Sequence, residues 1–483
     1  DDLHQVKVNV NQAVAGVNAL RPADLRFNAY LGKMAAEFHH YLPFLQTLLQ
    51  EADQLLPALP ALLGISAPAY YLVELLDTTE LRPGGGFIKD YGFATLIGGR
   101  LSAAHISDAN LLDATFTQSG QTLSLPPGYK WFNQVTDSWS LRDSNLDADF
   151  PTAARFAEQN YSSEHARVDL QGVLAITPAL IANALAITGP IGIPELHQTV
   201  TTRNLVDLIH YYQYGPGSLR QGGGILAPGE NADGSRNFTE LLAQQFLARL
   251  HQLPASDFPR LLQVIITSLQ TKDLQIYFNA PAAENLLQSL NAGATIQPSA
   301  GDSFFVVDAN ISANHVNQLL TKTMDDQVTI DGDGNATHHT TMRYAWLTNG
   351  ETFGPPTYSD YVRIYVPSSS SLQGQQGWQP RGTSHAFGRE VWAGSFSLSY
   401  GGTLTISLTW TAKGVAKKDS SGWHYQYLVQ HQAGSSWKLN VRATVPSCAG
   451  RTPTGMIRVG NGQTAALSQS LVKDTTMHLD YRC

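Results

Sequence analysis

The amino-acid sequence predicts an α/β (α+β) layered domain that is preceded by a helical hairpin and followed by an all-β sandwich. Residues 69–324 alternate short apolar runs with amphipathic, well-capped segments, which is typical of an α/β or α+β domain. Residues 1–68 carry apolar side chains at heptad spacing, which favours packed helices. Residues 325–483 contain short alternating segments rich in Thr, Ser, Tyr and Trp, as β-sandwiches do. We therefore expect three parts, with boundaries after residues 68 and 324.

The first part is predicted to be a helical hairpin or stalk. Arg21-Pro22 separates its two apolar stripes, and Pro43 is expected to kink or divide the second helix. Such stripes pack against the body of the protein or against a partner helix, so they indicate packing rather than a catalytic or binding site. Because the pattern is already under way at Asp1, further chain is expected upstream. The stripes consist of Leu3, Val6, Val10, Ala13, Val17 and Leu20, then Phe27, Leu31, Met34, Phe38, Tyr41, Leu45, Leu48, Ala52 and Leu55.

The middle part begins with two predicted strands joined by a charged loop. The apolar run Tyr70–Leu76 has the length and flanks of a buried strand, and Phe87–Ile97 predicts a second. Gly98-Gly99 predicts a two-residue hairpin turn, because such turns need positive φ. Capping residues and apolar spacing predict later helices, with strands such as Ser303–Val307 interleaved. The helices are expected after Asp149, after Thr177, after Thr202, from Phe238 and after Ser256-Asp257.

The loop between the two strands contains the first candidate site. Asp77, Glu80 and Arg82 lie within six residues. They are followed by the triple glycine at 84–86, that is Gly84, Gly85 and Gly86, and Lys89 comes shortly afterwards. Successive glycines can turn their N–H groups toward one point and form an anion-binding nest. With cationic side chains on both sides, this loop is a candidate phosphate site. The alternative is that the glycines serve only a tight connection.

A second charged block, Arg142-Asp143-Ser144-Asn145-x-Asp147-x-Asp149, is the expected partner of the first. A pyrophosphate site needs guanidinium or backbone donors for the phosphate oxygens and carboxylates for Mg²⁺. If the blocks meet, Arg82 and Arg142 would hold a diphosphate, while Glu80, Asp143 or Asp149 would bind the metal or act as a base. The alternative is structural: Asp149 as a helix cap, and the other charges as buried ion pairs.

The sequence resembles a bacterial family of unknown function, number four thousand and twelve among the catalogued domains of that kind. The first block of similarity is Glu-Leu-Arg-Pro-x-Gly-Gly-Phe-Ile at 80–88, and the second runs from 141 to 154. Further blocks lie at 172–191, 202–206, 308–310 and 361–367, so the resemblance extends over nearly the whole chain. The family usually has Asn where Asp77 and Thr78 stand, Gly-Ser at Lys89-Asp90, and often Lys at His315.

Members of that family look like distant relatives of the LytR-CpsA-Psr phosphotransferases. The resemblance implies a LytR-CpsA-Psr-like domain at 69–324 and a membrane-anchored or secreted protein, with a transmembrane or signal segment upstream of Asp1. It also implies a polyprenyl-pyrophosphate-linked glycan or cell-wall glycan as partner. The candidate catalytic residues are Glu80, Arg82, Arg142, Asp143 and Asp149. The candidate substrate-binding residues are Gly84, Gly85, Gly86, Lys89, Asn145 and Arg203, and Asp143 and Asp149 are the candidate ligands of Mg²⁺.

Composition limits the class of protein. Only 14% of the residues are charged, a balance common in extracellular proteins. Residues 1–324 carry 18 basic against 29 acidic side chains, which argues against nucleic acid as the partner. The two cysteines, Cys448 and Cys483, suggest a disulfide near the C-terminus, with two free thiols as the alternative.

Two functions remain open from the sequence. The first is an extracellular or cell-surface bacterial envelope enzyme that transfers a lipid-pyrophosphate-linked glycopolymer to a cell-wall acceptor. The second is a non-catalytic, self-assembling structural or adhesion protein with a vestigial site. The heptad helices, the low charge and six tryptophans after residue 324 fit assembly into a homo-oligomer.

Overall fold

The computed structural model describes residues 54–102, 105–165, 167–214, 238–298, 301–446, 449–450, 454–459 and 463–482, together with positions 8, 12 and 47. Most of the expected helical hairpin lies outside these ranges, as do Cys448 and Cys483 with their expected disulfide. No helix within the described ranges combines the length and the apolar character needed to cross a membrane. The described chain is a mixed α/β protein.

The first sheet is formed around the predicted strand pair. Strand β1 pairs antiparallel with β2 and parallel with β5, and the order across the sheet is β3-β2-β1-β5-β8, with β4 also paired to β2. The predicted turn at Gly98 and Gly99 is confirmed, because φ is +57° and +77° there. The strands are β1 (Ala69–Asp77), β2 (Phe87–Ile97), β3 (Arg100–Leu101), β4 (His105–Asp108), β5 (Leu170–Ile176) and β8 (Leu274–Phe278), and a separate hairpin is formed by β6 (Ile191–Ile193) and β7 (Gln198–Val200).

Helices cover this sheet, and most begin near the predicted positions. Asp149 caps its helix by accepting a hydrogen bond from the Thr152 N–H over 3.2 Å. Gly189, with φ of +79°, ends another. The α-helices are α1 (Leu59–Leu62), α2 (Ala109–Gln118), α3 (Phe150–Glu164), α4 (Pro178–Thr188), α5 (Leu205–Gln213), α6 (Phe238–His251), α7 (Phe258–Thr271) and α8 (Pro281–Ser289). Short 3₁₀ helices span Pro127–Gln134, Leu141–Asp143, Pro194–Leu196, Ala255–Asp257 and Asn317–Leu319.

Two larger sheets are built mainly from the C-terminal third of the chain. One has the order β13-β16-β11-β10-β19-β22-β21, and the other β14-β15-β12-β9-β18-β23-β20 with β17 paired to β18. The strands are β9 (Asp302–Val307), β10 (Thr321–Ile330), β11 (Ala336–Ala345), β12 (Thr357–Pro367), β13 (Ser370–Gln376), β14 (Gln379–Ala386), β15 (Arg389–Ser399), β16 (Thr403–Ala412), β17 (Ala416–Asp419), β18 (Gly422–Gln430), β19 (Trp437–Thr444), β20 (Ala449–Gly450), β21 (Ile457–Val459), β22 (Thr464–Leu471) and β23 (Thr475–Arg482).

These two sheets bury one hydrophobic core between them. Side chains of both contribute, among them the buried Trp392 of β15 and Trp410 of β16. The expectation that the strand at 303–307 belongs to the α/β part is wrong, because β9 hydrogen-bonds to β12 and β18 in the second of these sheets. Its six residues are all buried, and a fully buried strand gives no alternating pattern by which to assign it to a sheet.

Candidate functional site

The first predicted catalytic group, at Glu80 and Arg82, is a buried ion cluster. Arg82 donates to Glu80 Oε1 over 2.6 Å, to the Asn310 carbonyl over 2.8 Å, and lies 3.4 Å from Asp143 Oδ1. Its guanidinium also lies over the Phe132 ring, and Arg82 is only 1% exposed. Burial raises the pKa of Glu80, although the charge of Arg82 acts against this. Arg82 is therefore occupied by protein partners and is not presented to a substrate.

Arg142 lies beside this cluster but has a different environment. Its Nε is 3.2 Å from Asp113 Oδ2 and 3.4 Å from Asp143 Oδ2, and its side chain is 34% exposed. It also donates to Asn110 Oδ1 over 3.0 Å. The structure thus brings Arg82 and Arg142 together on one carboxylate, that of Asp143, rather than on an open phosphate site.

The carboxylates proposed for Mg²⁺ both have protein partners. Asp143 Oδ1 faces Arg82 and Oδ2 faces Arg142. Asp149 Oδ2 accepts from Thr152, and Oδ1 accepts from the Ile296 N–H over 3.2 Å. Each of the four oxygens has a donor, so both carboxylates take part in the hydrogen bonds and ion pairs of the protein itself.

The glycines of the loop allow close packing of the chain. Gly84, Gly85 and Gly86 are buried, and the Gly84 N–H donates to the Asn145 carbonyl over 3.0 Å. The Asn145 side chain donates to the Gly86 carbonyl. A Cβ added at Gly86 would stand 2.6 Å from a backbone oxygen. The geometry therefore shows the three glycines in a tight connection between strands rather than in an open anion-binding nest. Elsewhere, Arg203 is exposed on the segment before α5.

A cavity of about 360 Å³ lies between the first sheet and the helices α4 to α7. Its walls are apolar and include Val73 and Leu75 of β1, while Leu72 of that strand packs into the core of the opposite face. This alternation is the normal consequence of the strand's two-residue period. The helices contribute mostly aliphatic side chains, namely Leu180, Ile181, Ala184, Leu205, Val206, Ile209, Leu242, Ala243, Phe246, Leu247, Leu250, Leu261, Val264 and Ile265.

One set of polar side chains lines the same cavity. On β1, Asp77 continues the alternation of Val73 and Leu75, so its carboxylate faces inward. On α5, the lining residues Val206, Ile209, His210 and Gln213 have the spacing of one helical face. The same side of helix and strand therefore carries both aliphatic and titratable groups.

Lys89 and Asp90 both reach the cavity although they are adjacent on a strand. The register between β1 and β2 shifts at this point, which leaves Lys89 unpaired in a β-bulge. A bulge redirects side chains that would otherwise alternate. Lys89 forms an ion pair with Asp108, and Gln213 donates to Asp90 Oδ2 over 2.6 Å. Burial raises the pKa of Asp90 to about 7, against the opposing charge of Lys89.

Asp77 is the centre of a buried cluster with two histidines. Its Oδ2 is 3.0 Å from His315 Nδ1, and its Oδ1 is 3.7 Å from His210 Nε2. Thr79 Oγ1 donates to Asp77 Oδ1 over 2.6 Å. Burial on its own would raise the pKa of Asp77, but hydrogen bonds from His210 and His315 and their charges hold it well below its ordinary value. One ligand atom of each residue lies within 4.8 Å of the others, so the three could hold a metal ion.

Other groups fix the orientation of this cluster. His315 Nε2 is 3.7 Å from Glu80 Oε2, which connects the histidine to the Arg82 ion cluster. Tyr214 donates to Asp77 Oδ2 over 3.1 Å. The ring of Phe353 lies 5.6 Å from that of His210 and 5.9 Å from that of His315, centre to centre.

Comparison with known families identifies part of this region. Residues 67–214 match the model of a family described as "Protein of unknown function (DUF4012)". This segment is a DUF4012 match. It contains Asp77, Thr79, Lys89 and His210, whereas His315 comes from beyond the DUF4012 segment. A search of curated proteins found no match.

Solved structures give only weak similarities. A putative nutrient binding protein from Legionella pneumophila is 9% identical, with 38% of this chain and 72% of that chain covered and a TM-score of 0.29. An M1 zinc metallopeptidase from Deinococcus radiodurans is 12% identical, with 34% of this chain and 42% of that chain covered and a TM-score of 0.21. This chain therefore spans less than half of that metallopeptidase. These scores are too low to support a shared fold or function.

The sequence did not predict the histidine cluster. Asp77 stood out as a member of the charged loop and as a departure from the family pattern, His315 only as such a departure, and His210 was not singled out. Asp77 is 133 residues from His210 and 238 from His315 in the sequence. The one local signal for His210 is a polar side chain on the apolar stripe of α5, which more often indicates a satisfied core histidine than a ligand.

Proposed function

We propose that this chain is an extracellular or cell-surface envelope protein that binds a lipid-pyrophosphate-linked glycopolymer and transfers the glycopolymer to a cell-wall acceptor, as a LytR-CpsA-Psr-like phosphotransferase would. The observation that carries the proposal is the apolar cavity with titratable groups in its lining. An α/β layered domain would provide the cavity, with a helical hairpin before it and a β-sandwich after it.

The cavity fits a lipid chain better than a polar metabolite. Its volume of about 360 Å³ falls within the common range of ligand sites, which is roughly 300–1,000 Å³. Aliphatic side chains from β1, α4, α5, α6 and α7 form its walls. Burial of each CH₂ of a lipid there contributes about 0.8 kcal/mol. A polyprenyl segment matches such walls in polarity.

The polar lining supplies groups suited to phosphoryl transfer. Lys89 is the one lysine or arginine among the described lining residues, and it would neutralise phosphate oxygens. An acceptor hydroxyl attacks the glycan-bearing phosphorus, the new O–P bond forms as the bond to the lipid-phosphate oxygen breaks, and the lipid phosphate leaves. Asp90, which also lines the cavity, takes the hydroxyl proton. Positioning and charge stabilisation supply most of the catalysis in such reactions.

The test is binding of a soluble short-chain polyprenyl pyrophosphate to the parent protein and to two matched variants of α6. Ala243 lines the cavity, whereas Ala248 on the same helix is exposed. Ala243→Phe should abolish binding because the ring fills the cavity, and Ala248→Phe should bind like the parent. Measurements with and without Mg²⁺ show whether the pyrophosphate needs the ion. Equal binding by both variants, or none by a folded parent, would disprove this use of the cavity.

A second candidate is a non-catalytic structural or adhesion protein that assembles with itself. The buried, fully paired Arg82 favours it, because the predicted phosphate-binding arginine acts as part of the scaffold. Light scattering across a concentration series would show assembly. A folded parent that assembles and binds no polyprenyl pyrophosphate would support this candidate.

A further inference from the structure

We propose that Asp77, His210 and His315 hold a divalent transition-metal ion, best matched by Zn²⁺, next to the apolar cavity. This is a different site from the Mg²⁺ ligands expected at Asp143 and Asp149. It does not depend on the lipid substrate, because its geometry involves only side chains of this protein.

The donor set is chemically suited to zinc. Two imidazoles and one carboxylate are the protein ligands of many zinc sites, and zinc tolerates this mixture of nitrogen and oxygen well. Magnesium and calcium prefer oxygen ligands alone. All three side chains are buried, and a bound ion would offset the charge of the Asp77 carboxylate.

The ligand atoms lie near one another, although not yet at the spacing of a tetrahedral site. With zinc–ligand bonds of about 2.0–2.1 Å, the ligand atoms of a tetrahedron stand about 3.3 Å apart. Asp77 Oδ1 is 3.7 Å from His210 Nε2, and Asp77 Oδ2 is 3.0 Å from His315 Nδ1. One ligand atom of each residue lies within 4.8 Å of the others, so the three side chains must rotate to bring these atoms to bonding distance of one ion.

Thr79 occupies the fourth corner of this arrangement. Its Oγ1 is 2.6 Å from Asp77 Oδ1, 3.3 Å from His210 Nε2 and 3.1 Å from His315 Nδ1. A neutral hydroxyl is a weak ligand, which water or a phosphate oxygen can replace. Thr79 and Asp77 both line the cavity, so this exchangeable corner faces the space where a ligand would enter.

The Arg82 ion cluster becomes the outer shell of the proposed site. Glu80 Oε2 is 3.7 Å from His315 Nε2, the ring nitrogen that does not face Asp77, and Arg82 holds the other Glu80 oxygen at 2.6 Å. Carboxylates in this position orient a ligating histidine and increase its basicity. Glu80 and Arg82 are thus positioning residues. This role explains why two charged side chains are buried at a place where a substrate does not reach them.

The experiment measures metal binding by the tag-free full chain after removal of metals with a chelator. We expect calorimetry with Zn²⁺ to give one ion per chain. We also expect Co²⁺ in its place to give the visible absorption of a tetrahedral site. Zn²⁺ should raise the melting temperature, since a ligand of the folded state stabilises it. Excess Mg²⁺ should not displace Zn²⁺.

Variants localise the ion. His210→Ala and His315→Ala should abolish binding, and Glu80→Gln should weaken it about 10- to 100-fold through the outer shell. His424→Ala is the matched control, because His424 also lies between two carboxylates, Asp480 at 2.7 Å and Asp419 at 3.1 Å, but at the surface. It should bind Zn²⁺ like the parent.

Circular dichroism confirms that each variant is folded. If a histidine variant does not fold, Asp77→Asn replaces it in the binding measurement, because this substitution preserves the shape of the side chain. The proposal is overturned if the folded parent takes up no Zn²⁺. It is equally overturned if the folded cluster variants bind as the parent does, or if only His424→Ala loses the ion.

Discussion

Arg82 donates a 2.6 Å hydrogen bond to Glu80, two residues before it, and both side chains are buried in the loop between β1 and β2. Asp143 lies 3.4 Å from the same guanidinium. The burial of Arg82 removes it from contact with a substrate, and its partners connect the loop to the 3₁₀ helix Leu141–Asp143. This sequence motif therefore fixes the loop to the 3₁₀ helix from within the protein.

The first prediction concerns this ion cluster. Arg82→Met should lower the free energy of unfolding by about 3–5 kcal/mol, because removal of one partner leaves buried carboxylates without compensation. Denaturant unfolding measures the change. The control is Arg260→Met, whose side chain is 61% exposed and whose partner Asp257 lies 3.3 Å away, immediately before α7. That exposed pair should contribute no more than about 1 kcal/mol. Similar losses in both variants would contradict the structural role of Arg82.

The second prediction concerns Glu74 on β1, which is buried and whose Oε1 has no hydrogen-bond partner among the residues that the structure describes. Burial raises the pKa of Glu74 to about 8. The stability that its proton provides is fully present below about pH 4.5 and is lost as the pH rises through 8. Glu74→Gln keeps the shape without the charge.

Between about pH 5 and 8, the free energy of unfolding of the variant should therefore rise relative to that of the parent, by up to about 1.4 kcal/mol per pH unit. Urea unfolding at several pH values gives the difference. Glu195→Gln, at an exposed carboxylate, is the control and should follow the parent at every pH. A difference between Glu74→Gln and the parent that stays constant with pH would argue against a buried protonated carboxyl.

The third prediction concerns His338, which is buried between Asp302 at 2.8 Å and Asp326 at 2.9 Å. Tyr425 donates to Asp302, and Tyr427 donates to Asp326. Burial on its own would lower the pKa of His338, but the charges of Asp302 and Asp326 outweigh it and raise the pKa to about 10. The imidazole should therefore stay charged at pH 8.

Nuclear magnetic resonance of labelled histidine, with the signal assigned through His338→Gln, measures this pKa directly. Because the folded pKa lies above the unfolded one, the stability from this charge is fully present below about pH 6.5 and is lost as the pH rises through 10. Loss of the proton near pH 6.5 would show that the two aspartates do not hold it.

Local signals in the sequence predicted many of the elements. The strand pair at Tyr70–Leu76 and Phe87–Ile97, the positive-φ turn after it and the helix cap at Asp149 are all present. Each depends on neighbouring residues or on the two-residue and 3.6-residue periods. The strand at 303–307 was assigned to the wrong part because its burial on both faces erases those periods.

By itself, the sequence determined many of the helices and strands, the charged, glycine-rich loop between β1 and β2, and the DUF4012 segment. These features depend on short-range patterns of polarity and backbone freedom. Only the tertiary structure decided that Arg82 is enclosed by its own partners, and that Asp77, His210 and His315 meet beside an apolar cavity. These residues lie on a strand, a helix and a loop. No local pattern connects positions so far apart. The first sheet packs against its helices and against the loop after β9, and this packing brings the three residues together.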